Sequence, residues 1–267
     1  MRHLFLIVFS AIAFAGVVGY GFIQNKEDVA DLLPGLEMTR LSSGQYDLTV
    51  SVPNSLGRKY HSKKVNLEKP FYISRHEITI GQWNKCFEEQ FCTHKAKQRP
   101  FQTIDHPVTK VSWLDAYSFT QWLSQKTGDV YRLPTEEEWA YAAFAGQDVT
   151  QKTIDDLLDM RSAELMLPGL GGRRTRAIGA FGENNWNIAD TGGTVWEWTM
   201  SCWFSSDQGN EENRTISELR TIKLCPNRII QGVERAHVPH FVDEALSGGC
   251  STGNPIDHIG FRMVREI

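Results

Sequence analysis

Three stretches of this chain pair a hydroxyl residue with Gln, Asp or Glu three positions later, and each opens onto apolar residues at helical spacing. They are Thr79 with Gln82, Ser112 with Asp115, and Thr135 with Glu138. The first turn of a helix leaves its N–H groups without partners. A hydroxyl at the cap and a polar side chain three residues on satisfy two of them reciprocally. Ile80, Trp83 and Phe87 follow the first cap, Trp113, Ala116, Thr120 and Leu123 the second, and Trp139, Ala142 and Ala143 the third. Gly128 is placed to end the second helix in the left-handed conformation, and Gly146 to end the third. Glu136, Glu137 and Glu138 then lie in a first turn, where the helix dipole favours negative charge. Their clustering is structural, not a sign of acid–base catalysis. Between the helices, Tyr46–Val52 alternates with period two and reads as a strand, and Lys69–Ile73 reads as another. The chain is α+β.

At 267 residues and 41% hydrophobic, it can bury one substantial core. A formal net charge of -4 carries no footprint for nucleic acid. Leu4–Ile23 is an uncharged apolar run preceded by Arg2. At about 1.5 Å per residue it just spans a hydrocarbon core of about 30 Å. It also reads as a signal peptide with Ala13-Phe14-Ala15 at the cleavage site. Residues 1–23 are therefore expected to be an anchor or signal, contacting the membrane through residues 4–23. Residues 24–44 are expected to be a tether, and 45–267 a domain on the periplasmic or extracellular side, anchored or secreted after cleavage. Export permits disulfides among the five cysteines.

Five blocks stand in a fixed order: Pro70–Thr79, His106–Trp113, Tyr131–Ala143, Gly192–Trp198 and Ile259–Arg265. Together they resemble the formylglycine-generating enzyme (sulfatase-modifying factor) family over roughly residues 45–267. The resemblance implies a C-type-lectin-like, loop-rich α+β fold with limited regular secondary structure. It also implies disulfides pairing Cys86 with Cys92 and Cys202 with Cys225, leaving Cys250 over. Closing loops of those lengths stabilises by at most about 2 and about 3 kcal/mol. The family's calcium turn corresponds to Asp190–Glu197, with side-chain ligands at Asp190 and Glu197 and main-chain carbonyls at Gly193 and Val195. Asp190 stands where members usually have Asn. As a plain glycine turn, Asp190 would instead cap backbone N–H groups.

The family's oxidases bind Cu(I) through two cysteine thiolates five residues apart, following a Gly-Gly-Ser motif. The matching run here is Gly232–Val242, with Glu234 at the serine and His237 and Val242 near the cysteine positions. Copper is therefore not expected, because Cu(I) is selected by soft thiolates. Residues 147–175 also depart from the family: Asp155–Met160 suggests a short helix and Gly169–Gly172 a turn. The expected function is a catalytically degenerate domain binding a protein or peptide on the loops of residues 147–175 and 204–250. The alternatives are an oxidase-like enzyme modifying a protein or peptide side chain, or a sugar-binding module by fold analogy. The weak catalytic candidates are Glu234, His237 and His240, with a metal, and Cys250 as a thiol. Pro239 keeps the two histidines off a common helix face.

Overall fold

The computed structural model describes residues 26–54, 57–156, 159, 175–193, 195–202, 227–232, 236–239 and 258–267. The three capped segments form helices where expected. They are α2 (Ile80–Glu88), α3 (Trp113–Thr127) and α4 (Glu136–Ala143), preceded by a short α1 (Val29–Leu32). Each of the three has a complete capping box, and Gly128 closes α3 at φ 77°. Glu138 is occupied by its cap and by Arg132, whose guanidinium reaches both its oxygens at 2.6 Å. That occupation fits a structural role.

Among the described residues, ten strands form three sheets. The first runs β1 (Met38–Leu41), β4 (Phe71–Ser74), β10 (Val264–Glu266) and β5 (Tyr131–Arg132), with antiparallel neighbours throughout. β2 (Gly44–Asn54) and β3 (Gly57–Leu67) form a long hairpin, and Val149 bridges to Leu48 on its inner strand. The third sheet runs β8 (Ala236–Pro239), β7 (Asn227–Gln231), β6 (Trp196–Cys202) and β9 (Ile259–Gly260). Pro239 falls on β8, which among the described residues lies at the edge of this sheet, the place in a sheet where proline is tolerated.

Three expectations need correcting. Residues read as a tether are built into the domain: β1 pairs with β4 from Met38↔Ser74 to Leu41↔Phe71, and Leu32, Leu33 and Leu41 are buried. The stretch read as loop over residues 204–250 contains β7 and β8. In the other departing segment, residues 151–156 are helical and Ile154 is buried, so the helix starts earlier than Asp155. Leu4–Ile23 lies outside the described residues. Among those described, no helix is long and apolar enough to cross a membrane.

The core is built on indoles. Trp83, Trp113, Trp122, Trp139 and Trp198 are all buried, and every one donates its N–H, which removes the cost of burying that group. The acceptors are the carbonyls of His94, Thr199 and Val111 for Trp83, Trp113 and Trp198, and the carboxylates of Glu89 and Glu197 for Trp122 and Trp139. Arg228 on β7 stacks over Trp113 at 3.8 Å, tying the third sheet to α3. Burial pulls its pKa down to about 9.

Cys86 and Cys92 are disulfide-bonded across the end of α2, where Gln90 takes a positive φ of 60°. Cys202 is also disulfide-bonded, and Cys225 lies outside the described residues. Replacing Cys86 and Cys92 together by Ser should lower stability by about 2 kcal/mol, roughly 5 °C in melting temperature. A melting curve unchanged by the double substitution would show that the bond adds nothing to the helix it follows.

Candidate functional site

The charged groups of most interest meet beneath β6. Glu197 is buried on that strand, and Arg262 follows β9 between the buried Phe261 and Met263. The guanidinium grips the carboxylate from two sides: Nε donates to Oε2 at 2.6 Å and Nη2 to Oε1 at 2.8 Å. Trp139 of α4 adds a third donor to Oε2 at 2.8 Å. The remaining N–H groups of Arg262 serve the carbonyls of Ser74 (3.2 Å), Arg75 (3.0 Å) and Ala189 (2.9 Å). An arginine has five N–H donors, and all five are used. Glu197 outweighs the burial of the guanidinium and holds its pKa above the ordinary arginine value.

Glu77 lies on the segment between β4 and α2 and is 1% exposed. Neither of its carboxyl oxygens has a hydrogen-bond partner. Burial, reinforced by the Glu197 carboxylate, pushes its pKa well above the ordinary carboxylate range, and Arg262 offsets this only in part. Burial thus favours the neutral form of Glu77, and the nearby guanidinium, its five N–H groups already engaged, offers it no hydrogen bond.

The predicted calcium turn lies alongside. Asp190 is buried with φ 61°, and its backbone N–H donates to the Gly182 carbonyl at 3.1 Å. Its Oδ1 accepts from the Phe181 N–H at 2.9 Å, and its Oδ2 accepts from the Gly179 N–H. The His76 ring Nδ1 also lies 3.4 Å from Oδ2. Burial works to raise this pKa, but His76 and the two amides outweigh it and hold the carboxyl below its usual range. Gly193 donates its N–H to the Asp190 carbonyl at 3.0 Å, and a Cβ there would fall 2.3 Å from the Phe181 ring. Any larger residue there would force the Phe181 ring to shift.

A calcium ion wants six to eight oxygens free to turn towards it. Here the Asp190 carboxylate is turned towards residues 179–181 and His76, and the Glu197 carboxylate towards Arg262 and Trp139. Among the described residues no group of three or more His, Cys, Asp or Glu side chains could hold a metal. As arranged, these side chains do not fit the calcium set of Asp190, Gly193, Val195 and Glu197.

Of the weak catalytic candidates, His237 falls on β8 opposite Ile229 of β7. Glu234, His240 and Cys250 lie outside the described residues. Sequence reasoning passed over Glu77, Arg262 and His76. Arg262 had a readable signal: it is a charge set inside the apolar run Ile259–Val264, where a surface charge would break the pattern, whereas Glu77 follows Ser74, Arg75 and His76 and stands out from nothing. His76 carried none, because its partner is 114 residues away.

Known proteins place this architecture. A family model described as the sulfatase-modifying factor enzyme 1-like domain matches residues 27–267, which includes the α1–β1 segment. The formylglycine-generating enzyme of Mycobacterium tuberculosis is 34% identical over 180 residues, covering 60% of this chain and 58% of that protein. The inactive C-alpha-formylglycine-generating enzyme 2 of Bos taurus is 27% identical over 162 residues, covering 57% and 52%. The chain thus matches little more than half the length of these relatives. The solved structure of PvdO from Pseudomonas aeruginosa superposes with a TM-score of 0.61 at 22% identity, covering 87% of this chain and 95% of that one. CarF does so at 0.56 and 19%, covering 87% and 98%. With the match running from the first described helix to the C-terminal strand, the chain belongs to the sulfatase-modifying factor (formylglycine-generating enzyme-like) domain family.

Proposed function

We propose that this domain has lost copper–thiol oxidase chemistry and acts as a binding module for a protein or peptide. One observation carries the reading: by the family resemblance, the positions where the oxidases hold their copper-binding cysteines fall near His237 and Val242. Neither side chain supplies the soft sulfur that Cu(I) selects. The bovine relative whose name marks it inactive supports the possibility of losing the chemistry within this fold. The docking surface would be the departing segments, residues 147–175 and 204–250. Oxidised Cys86, Cys92 and Cys202 support exposure outside the reducing cytoplasm.

The test is direct. The purified chain is incubated with a sulfatase-type cysteine peptide, Cu(I) and oxygen, and the peptide is followed by mass spectrometry. No conversion to formylglycine is expected, and substituting His237 and His240 together should leave both the fold and that result unchanged. Turnover that disappears in Cys250→Ser would show a thiol site rebuilt elsewhere and would end the binding-module reading.

A further inference from the structure

We infer that the carboxylates of Asp190 and Glu197, cation ligands by family resemblance, are closed off in this chain by the protein's own donors and keep their places without a metal. The departure from the family at position 190 is the starting point. Members usually place Asn there, whose side chain has a single acceptor oxygen and an NH₂ that only donates. Asp190 uses both oxygens as acceptors, Oδ1 from Phe181 N–H at 2.9 Å and Oδ2 from Gly179 N–H. An Asn in the same place would turn its NH₂ against one of those two amides. The acid is thus matched to the loop of residues 179–181, a role for which its charge is useful and a second metal-ligating carboxylate is not required.

Electrostatics point the same way. An ion bound by Asp190 and Glu197 would be set close to the Arg262 guanidinium, which contacts Glu197 through two nitrogens and also donates to the Ala189 carbonyl beside Asp190. In a buried setting two positive charges at such range repel strongly, since there is little water to screen them. His76 adds a further nitrogen at 3.4 Å from the Asp190 carboxylate. Each carboxylate of the turn therefore already has its counter-groups: two amides and an imidazole for Asp190, a guanidinium and an indole for Glu197. Geometry within the turn completes the closure, through Gly193 N–H to the Asp190 carbonyl and the packing of Phe181 over Gly193.

The experiment compares the full chain and its Asp190→Asn variant by thermal melting in EDTA and in millimolar calcium, with calcium binding measured by calorimetry. The wild type should melt at one temperature in both buffers and show no saturable calcium uptake. Asp190→Asn should melt roughly 5 °C lower, through the loss of a charge-assisted hydrogen bond, and calcium should not restore it. If calcium raises the wild-type melting temperature, or returns Asp190→Asn to it, the turn is a cation site and the inference fails. Should Asp190→Asn not fold, His76→Ala serves in its place: a lowered melting temperature indifferent to calcium is expected, and rescue by calcium overturns the idea. The readout is independent of the oxidase assay, so failure here leaves the proposed function standing, and the reverse holds too.

Discussion

Arg262→Met is expected to be the most damaging single substitution in the domain, costing on the order of 3–5 kcal/mol. The methionine replaces the volume of the guanidinium stem but none of its five donors. Glu197 would be left buried with Trp139 as its one remaining donor, and the carbonyls of Ser74, Arg75 and Ala189 would each lose a hydrogen bond. Those carbonyls belong to separate stretches of chain, one beside β4, one before the Asp190 turn, so the guanidinium also fastens the first sheet to the third. A domain whose whole stability is about 5–15 kcal/mol gives up a large share of it. Urea and thermal denaturation would read the loss. A double substitution adding Glu197→Gln should recover part of it, because the uncompensated charge is then gone. Arg262→Lys should fall between, since one ammonium cannot reach both Glu197 oxygens and three carbonyls at once. If Arg262→Met melts within a couple of degrees of wild type, the buried ion pair is not what holds these layers together.

That ion pair shows where reading the sequence stops. Helices α2, α3 and α4 were legible because their caps are local: Thr79 and Gln82 lie three residues apart and solve one terminus between them. The strand through Tyr46–Val52 was legible from alternation, and the structure extends it to an 11-residue arm of a hairpin. β1 was not legible. Its four residues show no alternation, and it is a strand only because β4 offers an edge 30 or more residues later, from Met38↔Ser74 onward. The order β1-β4-β10-β5 is likewise set by packing across the whole chain, which no window of sequence contains. The family resemblance supplied the fold and directed attention to Asp190 and Glu197. It did not supply the direction their carboxylates face. That direction is set by Gly179 and Phe181, which follow the segment where this chain departs from its relatives, and by His76 and Arg262 from other blocks.

Glu77→Gln should make the protein more stable at neutral and alkaline pH and leave it unchanged in acid. The native pKa of Glu77 is raised well above the ordinary 4.5 by burial and by the Glu197 carboxylate, with Asp190 adding to the effect and Arg262 opposing it. Between the ordinary value and the raised one, the folded chain therefore holds a proton that the unfolded chain has released. Stability then falls as pH rises, by about 1.4 kcal/mol per pH unit for one proton, and levels off above the native pKa. Below the ordinary value both states carry the proton and nothing is lost. Glutamine has the shape of the neutral acid and never ionises, so the variant follows the acid-limb stability across the whole range. Asp190 acts with the opposite sign in a different window. Its carboxyl is held below the ordinary 3.8, so its contribution is present at neutral pH and disappears as pH falls through the lowered native value. The two effects therefore separate on the pH axis. Urea denaturation of wild type and Glu77→Gln from pH 4 to 9 would show the curves meeting in acid and diverging as pH rises. Parallel curves would mean that Glu77 ionises in the native state much as it does in the unfolded chain, and that the Arg262 charge offsets burial in full although none of its five N–H groups is left to bond the carboxylate.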